Sequence, residues 1–281
     1  MKQKEVWVQK ASGETEPFSI EKLISSLSNS GANIDETEEI AAEITKWIYN
    51  GISTRQIYSR AFELLKHKRA HFASRYKLKK AIMELGPTGY PFEYFIGKLF
   101  DIMGYKTTTG IVMQGCCVTH EMDVVAIKDH EEHLVECKYS QSHGKSVSVQ
   151  VPLYVRSRVD DIVKQLKKSP EYEGYTFHGW VVTNTRFTSD AIDYGNCSGL
   201  HMLSWDYPTG NGMKDIIDRE KVYPITVLAN LSHKQKQELM DKGIVICRQL
   251  SSNPEILTTL NLTKSQIMNL MQELNELVPF S

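Results

Sequence analysis

The spacing of apolar residues along the chain changes twice, and each change falls at a cluster of Pro and Gly residues. Residues 6–8 alternate in hydropathy and predict a short strand, whereas 19–85 repeat apolar residues at helical spacing. The Pro and Gly clusters lie at 86–91 and 207–212, where they interrupt the periodic segments. The pattern therefore predicts three units, at 1–86, 87–210 and 211–281.

Glycine and capping residues mark the helix ends of the first unit. Apolar stripes that stop at Gly31 and at Gly51 predict two helices, and Ser53 with Gln56 forms a capping box for a third. A fourth helical stretch, 69–85, is predominantly basic. We expect a small helical domain with a β-turn at its start.

The second unit alternates between helical and strand periods. Its first helix is predicted to begin at Pro91, which suits the first helical position, and to end at Gly104. Further segments are predicted as strands at 121–127, 133–139, 177–183 and 200–205, and as helices at 155–166 and 188–194. This alternation predicts an α/β domain with a mixed sheet.

The third unit carries only helical signals. Ser232 with Gln235, and Thr263 with Gln266, are capping boxes ahead of apolar stripes. Residues 239–250 (LMDKGIVICRQL) resemble part of a helix-hairpin-helix module, with an incomplete glycine pattern in the hairpin. A docking or dimerisation domain explains these helices equally well.

The overall composition excludes several classes of protein. The chain has 33 Lys plus Arg against 34 Asp plus Glu, a net charge of −1, so it is not a polybasic nucleic-acid coat. Its 5 cysteines form no C-x-x-C pair, and its N-terminus has no apolar secretion signal. No segment reaches the about 18 to 20 apolar residues of a membrane helix. We expect a reduced, cytoplasmic protein without structural zinc and without a membrane partner.

The strongest candidate chemistry lies on the predicted strand 133–139. Side chains of a strand alternate between its two faces, so Glu136 and Lys138 share one face while Cys137 lies on the other. A charged pair therefore projects from one side of an otherwise apolar strand.

The preceding strand adds a second carboxylate. The same parity places Asp123 on the face opposite to three apolar residues, Met122, Val124 and Ala126. If the turn at 128–132 joins the two strands as a hairpin, Asp123 lies beside Glu136. Two carboxylates and an amine are then held close together on rigid backbone.

Such a group suits phosphodiester hydrolysis. Carboxylate oxygens bind Mg²⁺ or Mn²⁺ and leave coordination positions for water and a phosphate oxygen. A nearby ammonium group orients the nucleophile or stabilises the charge of the phosphate. A salt bridge on the surface of the sheet explains the same spacing equally well.

Several segments, in order, resemble the Mrr-like branch of the PD-(D/E)XK nuclease superfamily. They are GYPFEYFIGKLFDIMGY (89–105), HEMDVVAI (120–127), HLVECKY (133–139), WVVTNTRFTSDAIDY (180–194) and GLHMLSW (199–205). The resemblance implies a restriction endonuclease-like α/β/α domain that cleaves DNA with Mg²⁺ or Mn²⁺. It implies Asp123 as the motif Asp, Glu136 and Lys138 as the E-x-K pair, Glu93 as an auxiliary acid, and Asp123, Glu136 and Cys137 as the metal-binding residues.

The residues around this motif have both a functional and a structural explanation. Gly97, one turn after Glu93, leaves room for the sheet to approach, but a carboxylate that is favoured by the helix dipole is the alternative. Many relatives carry a Gln in the helix after E-x-K; here Arg156 and Arg158 are the candidate phosphate-binding residues, or else surface partners of nearby aspartates. Ligands also often bind at the strand end that carries Thr183, Asn184 and Arg186, and His120 precedes the acidic strand.

The first unit resembles an ATP-cone, a nucleotide-sensing domain. The similar segments are VQKASGETEPFSIEKLISSL (8–27), GISTRQI (51–57) and SRYKLKKAI (74–82). The resemblance implies that ATP or dATP is bound as a regulatory ligand by Lys10, Glu16, Lys22 and Thr54. The usual K-R-D-G start is KASG (10–13) here, so the choice between ATP and dATP stays open. A helical scaffold that has lost its ligand is the alternative.

Two functions follow from these features. The first is a metal-dependent endonuclease, expected to form a homo-oligomer, whose activity responds to a nucleotide. The second is a nucleotide-responsive DNA-binding regulator with an inactive nuclease fold. The presence of Asp123, Glu136 and Lys138 favours the nuclease.

Overall fold

The computed structural model of the chain describes residues 6–10, 13–29, 34–68, 77–142 and 144–278. The predicted helix end at Gly31, and residues 69–76 of the predicted basic helix, lie outside the described residues. The remainder of that basic stretch contains a short helix, α4 (Leu78–Met83).

The N-terminal unit has its own apolar core. Strands β1 (Trp7–Gln9) and β2 (Thr15–Pro17) pair antiparallel, and they precede helices α1 (Ile20–Asn29), α2 (Ile34–Trp47) and α3 (Thr54–Lys68). The backbone N–H of Gln56 donates to the Ser53 hydroxyl oxygen at 3.2 Å, which forms the predicted cap of α3. The buried side chains of this unit form one cluster that includes Val8, Leu27, Ile44 and Leu65.

A mixed five-stranded sheet forms the centre of the molecule, as predicted. Its strands are β3 (Lys106–Gln114), β4 (Thr119–Lys128), β5 (Glu131–Lys138), β7 (Thr176–Thr183) and β9 (His201–Leu203), in that spatial order. The first three are antiparallel neighbours, whereas β5, β7 and β9 run parallel. Strands β6 (Ser146–Val147) and β8 (Arg186–Phe187) form a separate small parallel pair.

A tight turn sets the hairpin of β4 and β5. The strands are joined by Asp129 and His130, whose φ angles are 49° and 65°. Two consecutive positive φ angles belong to the two-residue turn whose twist matches that of the flanking strands. The register that follows pairs Val124 with Val135 and Lys128 with Glu131.

The hydropathy pattern does not predict strand β3. It contains three threonines and Gly110, and its exposed and half-buried positions alternate along its whole length. Its period of two is a strand signal, but the threonines give it little contrast between apolar and polar positions.

Helices cover both faces of the sheet. Helices α4 (Leu78–Met83) and α5 (Tyr90–Ile102) lie on one side, and α6 (Gln150–Leu166) and α7 (Ser189–Cys197) lie on the other. Helix α5 begins next to Pro91, as predicted, whereas α6 begins five positions before the predicted start at 155. The sheet side chains divide accordingly into two buried clusters.

The C-terminal helices share the core of α5. They are α8 (Met213–Glu220), α9 (His233–Asp241), α10 (Cys247–Ser252) and α11 (Lys264–Leu277). Their apolar residues belong to the same buried cluster as Phe95 and Val135. The Thr226 hydroxyl donates to the Ala81 carbonyl oxygen at 2.7 Å, a bond between segments 145 residues apart.

None of the helices among the described residues combines the length and the apolar character that crossing a membrane requires.

Candidate active site

Asp123 lies where two strands of the sheet separate. The pairing of β4 with β5 runs from Lys128 to Val124 and stops there, so Asp123 is the first residue of β4 beyond the ladder. Its Oδ2 atom accepts a hydrogen bond of 2.6 Å from the backbone N–H of Cys137. This bond fixes the carboxylate next to Glu136, as the hairpin hypothesis predicted.

The side-chain alternation of β4 breaks at the same point. Val124 and Ala126 pack in the cluster of α5, but Met122 packs in the cluster of α6. Strand alternation predicts one face for all three, and for Met122 that prediction is wrong. Gly110, with φ of 62°, lies opposite Asp123 in the register, and a left-handed glycine changes the local twist of a strand pair.

Glu136 is the most buried carboxylate of the site. It is 4% exposed and accepts three hydrogen bonds: from Lys138 Nζ at 2.7 Å, from the Tyr154 hydroxyl at 3.0 Å and from Arg158 at 2.6 Å. Three donors, two of them cations, satisfy the charge of a carboxylate that would otherwise be costly to bury.

Lys138 stays a cation in this setting. Burial alone would lower the pKa of Lys138, but the hydrogen bonds to Glu136 and Tyr154 outweigh burial and raise it. The group is therefore suited to stabilise negative charge and is not suited to act as a neutral base at physiological pH.

Glu93 approaches the site from the first turn of α5. A Cβ atom on Gly97 would lie 3.0 Å from the Thr109 methyl group, so the glycine permits the close approach of α5 to the sheet that the sequence suggested. Within the part of the chain that the structure describes, the Glu93 carboxylate accepts no hydrogen bond. Its oxygens are free to bind an ion.

Two carboxyl groups of the site have raised pKa values. Burial, followed by the charge of Glu136, raises the pKa of Asp123 to about 6. Burial, followed by the charge of Asp123, raises the pKa of Glu93 to about 7. The cause is the crowding of acids in a half-buried place where the local cations are already engaged by Glu136.

This donor set has the chemistry that a hard divalent cation prefers, although among the described residues the three carboxylates do not all bring an oxygen within 4.8 Å of one another. Asp123 has one oxygen without a hydrogen bond, Glu93 has two, and Glu136 uses three of its about four acceptor positions. Mg²⁺ and Mn²⁺ prefer carboxylate oxygens and retain several waters. A divalent charge would offset the repulsion that raises both pKa values.

The thiol of Cys137 does not belong to this donor set. Its side chain is buried in the apolar cluster of α5, on the opposite face of β5 from Glu136. Burial raises the pKa of the thiol well above its usual value, so it stays protonated. Cys137 is one of the predicted metal-binding residues, but only its backbone contacts the site, through the N–H bond to Asp123.

The two candidate arginines separate in the structure. Arg158 contacts Glu136 and donates to the Glu121 carbonyl oxygen. Arg156 instead pairs with Asp160 and donates to the Ser198 carbonyl oxygen at 3.3 Å, so the structure does not bring it to the carboxylates. Tyr154, one turn before Arg158, was missed, although a spacing of four places both on one helix face.

His120 is also engaged elsewhere. Its Nε2 atom lies 2.8 Å from Asp161, which accepts further bonds from the backbone N–H groups of Cys117 and Val118. The hydrogen bond with His120 and the backbone bonds hold the pKa of Asp161 below its usual range. This group anchors the turn between β3 and β4.

A group of two histidines and one glutamate lies at the amino end of β5. Glu131, His133 and His178 have potential ligand atoms within 4.8 Å of one another. The Trp180 indole N–H donates to His133 Nδ1 at 2.8 Å, so the neutral ring carries its proton on Nε2, which lies 3.6 Å from Glu131. Burial lowers the pKa of His133 to about 4, and the proton on Nε2 leaves that atom without a lone pair for a metal.

The residues predicted to bind a nucleotide come together in the N-terminal unit. Glu16 accepts from Lys10 at 3.1 Å and from Lys22 at 3.3 Å, and Glu16, Lys22 and Thr54 line a cavity of about 190 Å³. Two residues of the KASG segment, 11–12, lie outside the described residues. The cavity is smaller than the roughly 300 Å³ at which ligand pockets usually begin.

The raised pKa values predict that, as the pH rises, the metal-free protein becomes less stable and the stabilisation by Mg²⁺ becomes larger. Because native Asp123 and Glu93 keep their protons at a pH where unfolded carboxyl groups have lost theirs, they favour the metal-free fold at low pH. That contribution is lost as the pH rises through about 6 to 7. Mg²⁺ should therefore raise the melting temperature at pH 8 and have little effect at pH 5.

Differential scanning fluorimetry at the two pH values measures this effect. The Asp123→Asn variant is the control, and it should lose most of the increase that Mg²⁺ causes. An equal increase at pH 5 and pH 8 would contradict the assignment of the metal to these carboxylates.

Residues 86–206 form a restriction endonuclease domain of the PD-(D/E)XK type, with the mixed five-stranded sheet at its centre. A family model described as restriction endonuclease matches residues 86–206, and a model described as AF1548-like, C-terminal, matches 223–278. Neither match includes residues 1–85, where the resemblance to an ATP-cone lies.

A relative shows the family to which the chain belongs. An uncharacterized protein of Archaeoglobus fulgidus is 30% identical over 186 residues, which cover 65% of this chain and 99% of the relative. The chain belongs to the same family as this protein, and it carries a restriction endonuclease domain followed by an AF1548-like C-terminal domain.

Two solved structures are similar. A crystal structure described as a protein of unknown function, AF1548, has 28% identity and a TM-score of 0.55, over 69% of this chain and 100% of that chain. The MspJI restriction endonuclease in complex with a 27-mer oligonucleotide has 14% identity and a TM-score of 0.33, over 61% of this chain and 36% of that chain.

Proposed function

We propose that the protein is a metal-dependent endonuclease that hydrolyses phosphodiester bonds of DNA. The observation that carries this proposal is the bond from Cys137 N–H to Asp123, which holds a second carboxylate beside Glu136 and Lys138 where β4 and β5 separate. A restriction endonuclease domain supports a nucleic-acid substrate, and the description of that domain favours DNA.

Each side chain has a distinct part in the proposed reaction. Asp123 and Glu136 would hold the cation, and Glu93 would add a further carboxylate from α5. When bound, the cation supplies an electrophile for the phosphate and lowers the pKa of its water. Lys138, a stable cation, stabilises the negative charge that develops on the phosphate, and Arg158 keeps Glu136 in place.

A cleavage assay tests the proposal and separates it from the inactive-regulator alternative. Plasmid and single-stranded DNA are incubated with the protein in Mg²⁺ or Mn²⁺, with chelator as the blank. We expect cleavage that depends on metal. DNA binding without cleavage in either metal would favour the regulator.

A second proposed activity is nucleotide binding by the N-terminal unit. The observation in its favour concerns the four residues that the resemblance implies. Glu16, Lys22 and Thr54 line one cavity, and Lys10 pairs with Glu16. Two lysines suit the phosphates of ATP or dATP. Because both lysines pair with Glu16, a nucleotide would have to displace that carboxylate or share its cations.

Lys10→Gln should weaken the binding of ATP and dATP by about tenfold, because one charge-assisted contact is worth about 1.5 kcal/mol or more. Isothermal titration calorimetry with each nucleotide measures this loss, and Lys264→Gln, an exposed lysine of α11, is the matched control. If the wild-type protein binds neither nucleotide at millimolar concentration, the N-terminal unit is a scaffold.

A further inference from the structure

A cleft opens beside the carboxyl ends of the parallel strands. Its volume is about 1280 Å³, and it is lined by Lys79, Trp205 and Lys214 and, from the N-terminal unit, by Lys22 and Tyr58. These residues come from α4, from the segment after β9, from α8, and from α1 and α3. Elements from both parts of the chain therefore form the cleft.

Backbone hydrogen bonds place two cations on either side of Trp205. The N–H of Trp205 donates to the Thr185 carbonyl oxygen at 3.3 Å, next to Arg186, and the N–H of Lys214 donates to the Trp205 carbonyl oxygen at 3.2 Å. A third cation, Lys79, has its Nζ atom 5.8 Å from the centre of the Trp205 ring. The positions of the three cations are set by the fold and not by flexible loops alone.

This cluster has more positive than negative charge. Arg186 pairs with Asp206 at 3.4 Å, but among the described residues neither Lys79 nor Lys214 forms an ion pair. Burial, followed by the neighbouring charge of Arg186, lowers the pKa of Lys79, although Asp206 partly offsets this effect. The cleft also contains Glu21, Asp215 and Asp218 beside its five basic residues. An anion placed here would relieve the repulsion.

The cluster is joined to the active site by a short hydrogen-bonded edge. The Thr183 hydroxyl donates to the Lys138 carbonyl oxygen at 2.7 Å, and the Asn184 side chain exchanges two bonds with the Ser140 backbone, at 2.9 and 2.8 Å. Parallel strands end at the same edge of a sheet, and β9 is two strands from β5, about 10 Å at the usual spacing. Measured along the axis of B-DNA, that distance corresponds to about three phosphates of one strand.

We propose that Lys79, Arg186 and Lys214 bind the sugar–phosphate backbone of the DNA strand that is cleaved at Asp123 and Lys138. This inference rests on the proposed nuclease function and adds the path of the substrate. Cations that contact phosphates bind every sequence alike, because the phosphates carry no sequence information. The cluster therefore supplies affinity and register, and it supplies no base specificity.

The test compares two double variants that lose equal charge. Lys79→Gln with Lys214→Gln removes two cations of the cluster but keeps an aliphatic stem against Trp205. Lys234→Gln with Lys264→Gln removes two exposed lysines of the C-terminal helices and is the control. Fluorescence anisotropy measures binding of two unrelated labelled oligonucleotides over a salt series, on the cleavage-deficient Asp123→Asn background, and cleavage is measured without that substitution.

We expect the cluster variant to bind both oligonucleotides about tenfold or more weakly, with a salt slope reduced by about 1 to 2, while the control variant binds normally. Unchanged binding by the cluster variant, when the wild-type protein cleaves DNA, overturns the path and leaves the nuclease assignment intact. If the cluster variant loses ATP binding but binds both oligonucleotides normally, the proposed DNA path is also overturned, and the cluster is a site for free nucleotides. A wild-type protein that neither binds nor cleaves DNA overturns both proposals.

Discussion

Asp123→Asn is expected to reduce metal-dependent cleavage by about 1000-fold or more, equivalent to about 4 kcal/mol of transition-state stabilisation, while it makes the metal-free protein more stable at pH 8. Catalysis is lost because an amide is a poor ligand for Mg²⁺. Stability rises because the native site no longer contains a carboxylate whose pKa burial and Glu136 have raised to about 6. The amide oxygen can still accept the bond from Cys137 N–H.

Cleavage rates and chemical denaturation of the same preparations measure the two effects together. The control is Asp193→Asn, the same chemical change at an exposed position of α7, for which we expect wild-type cleavage. Wild-type cleavage by Asp123→Asn would remove this residue from the proposed mechanism. A large loss of stability would show that the carboxylate holds the fold together.

Glu136→Gln is expected to have the opposite effect on stability, although it makes the same chemical change in the same site. The carboxylate pairs with Lys138 at 2.7 Å and with Arg158 at 2.6 Å, and its loss removes the ion-pair partner of both cations. Breaking a fully buried pair costs about 3–5 kcal/mol, and because both cations are partly exposed we expect about 2 kcal/mol here. Cleavage should be lost as well.

Urea unfolding measures the loss, and a second substitution tests its cause. Arg158→Met added to Glu136→Gln should restore part of the stability, because it removes one of the two cations that have lost their ion-pair partner. If Glu136→Gln alone is as stable as the wild-type protein, the hydrogen bonds at Glu136 do not carry the energy that their lengths suggest.

The contrast between these carboxylates could be predicted only in part from the sequence. Strand parity predicted that Glu136 and Lys138 share a face, and the hairpin predicted that Asp123 lies nearby; the structure confirms both placements. The burial of Glu136 beneath α6 depends on contacts with residues 18 and 22 positions away. Local alternation contains no information about such contacts.

Other differences have the same origin. Met122 leaves the predicted face next to Asp123, the position that Gly110 of another strand faces in the register. Arg156 and Arg158 are equivalent in the sequence, but helix α6 brings only the second of them to Glu136. Pairing between strands and the rotation of a helix about its axis are long-range properties, which the spacing of residues within one segment does not contain.

The apolar cluster that joins α5 to the C-terminal helices limits how the two matched segments can be separated or recombined during evolution. Residues 86–206 and 223–278 match two separate family models, yet Phe92 and Phe95 share one buried cluster with Leu270 and Leu274. A gene that ended after the first match would encode a chain with this apolar surface exposed to water. The two segments are separate sequence families but form one evolutionary unit. Either segment can be replaced only by one whose apolar surface packs against the same interface.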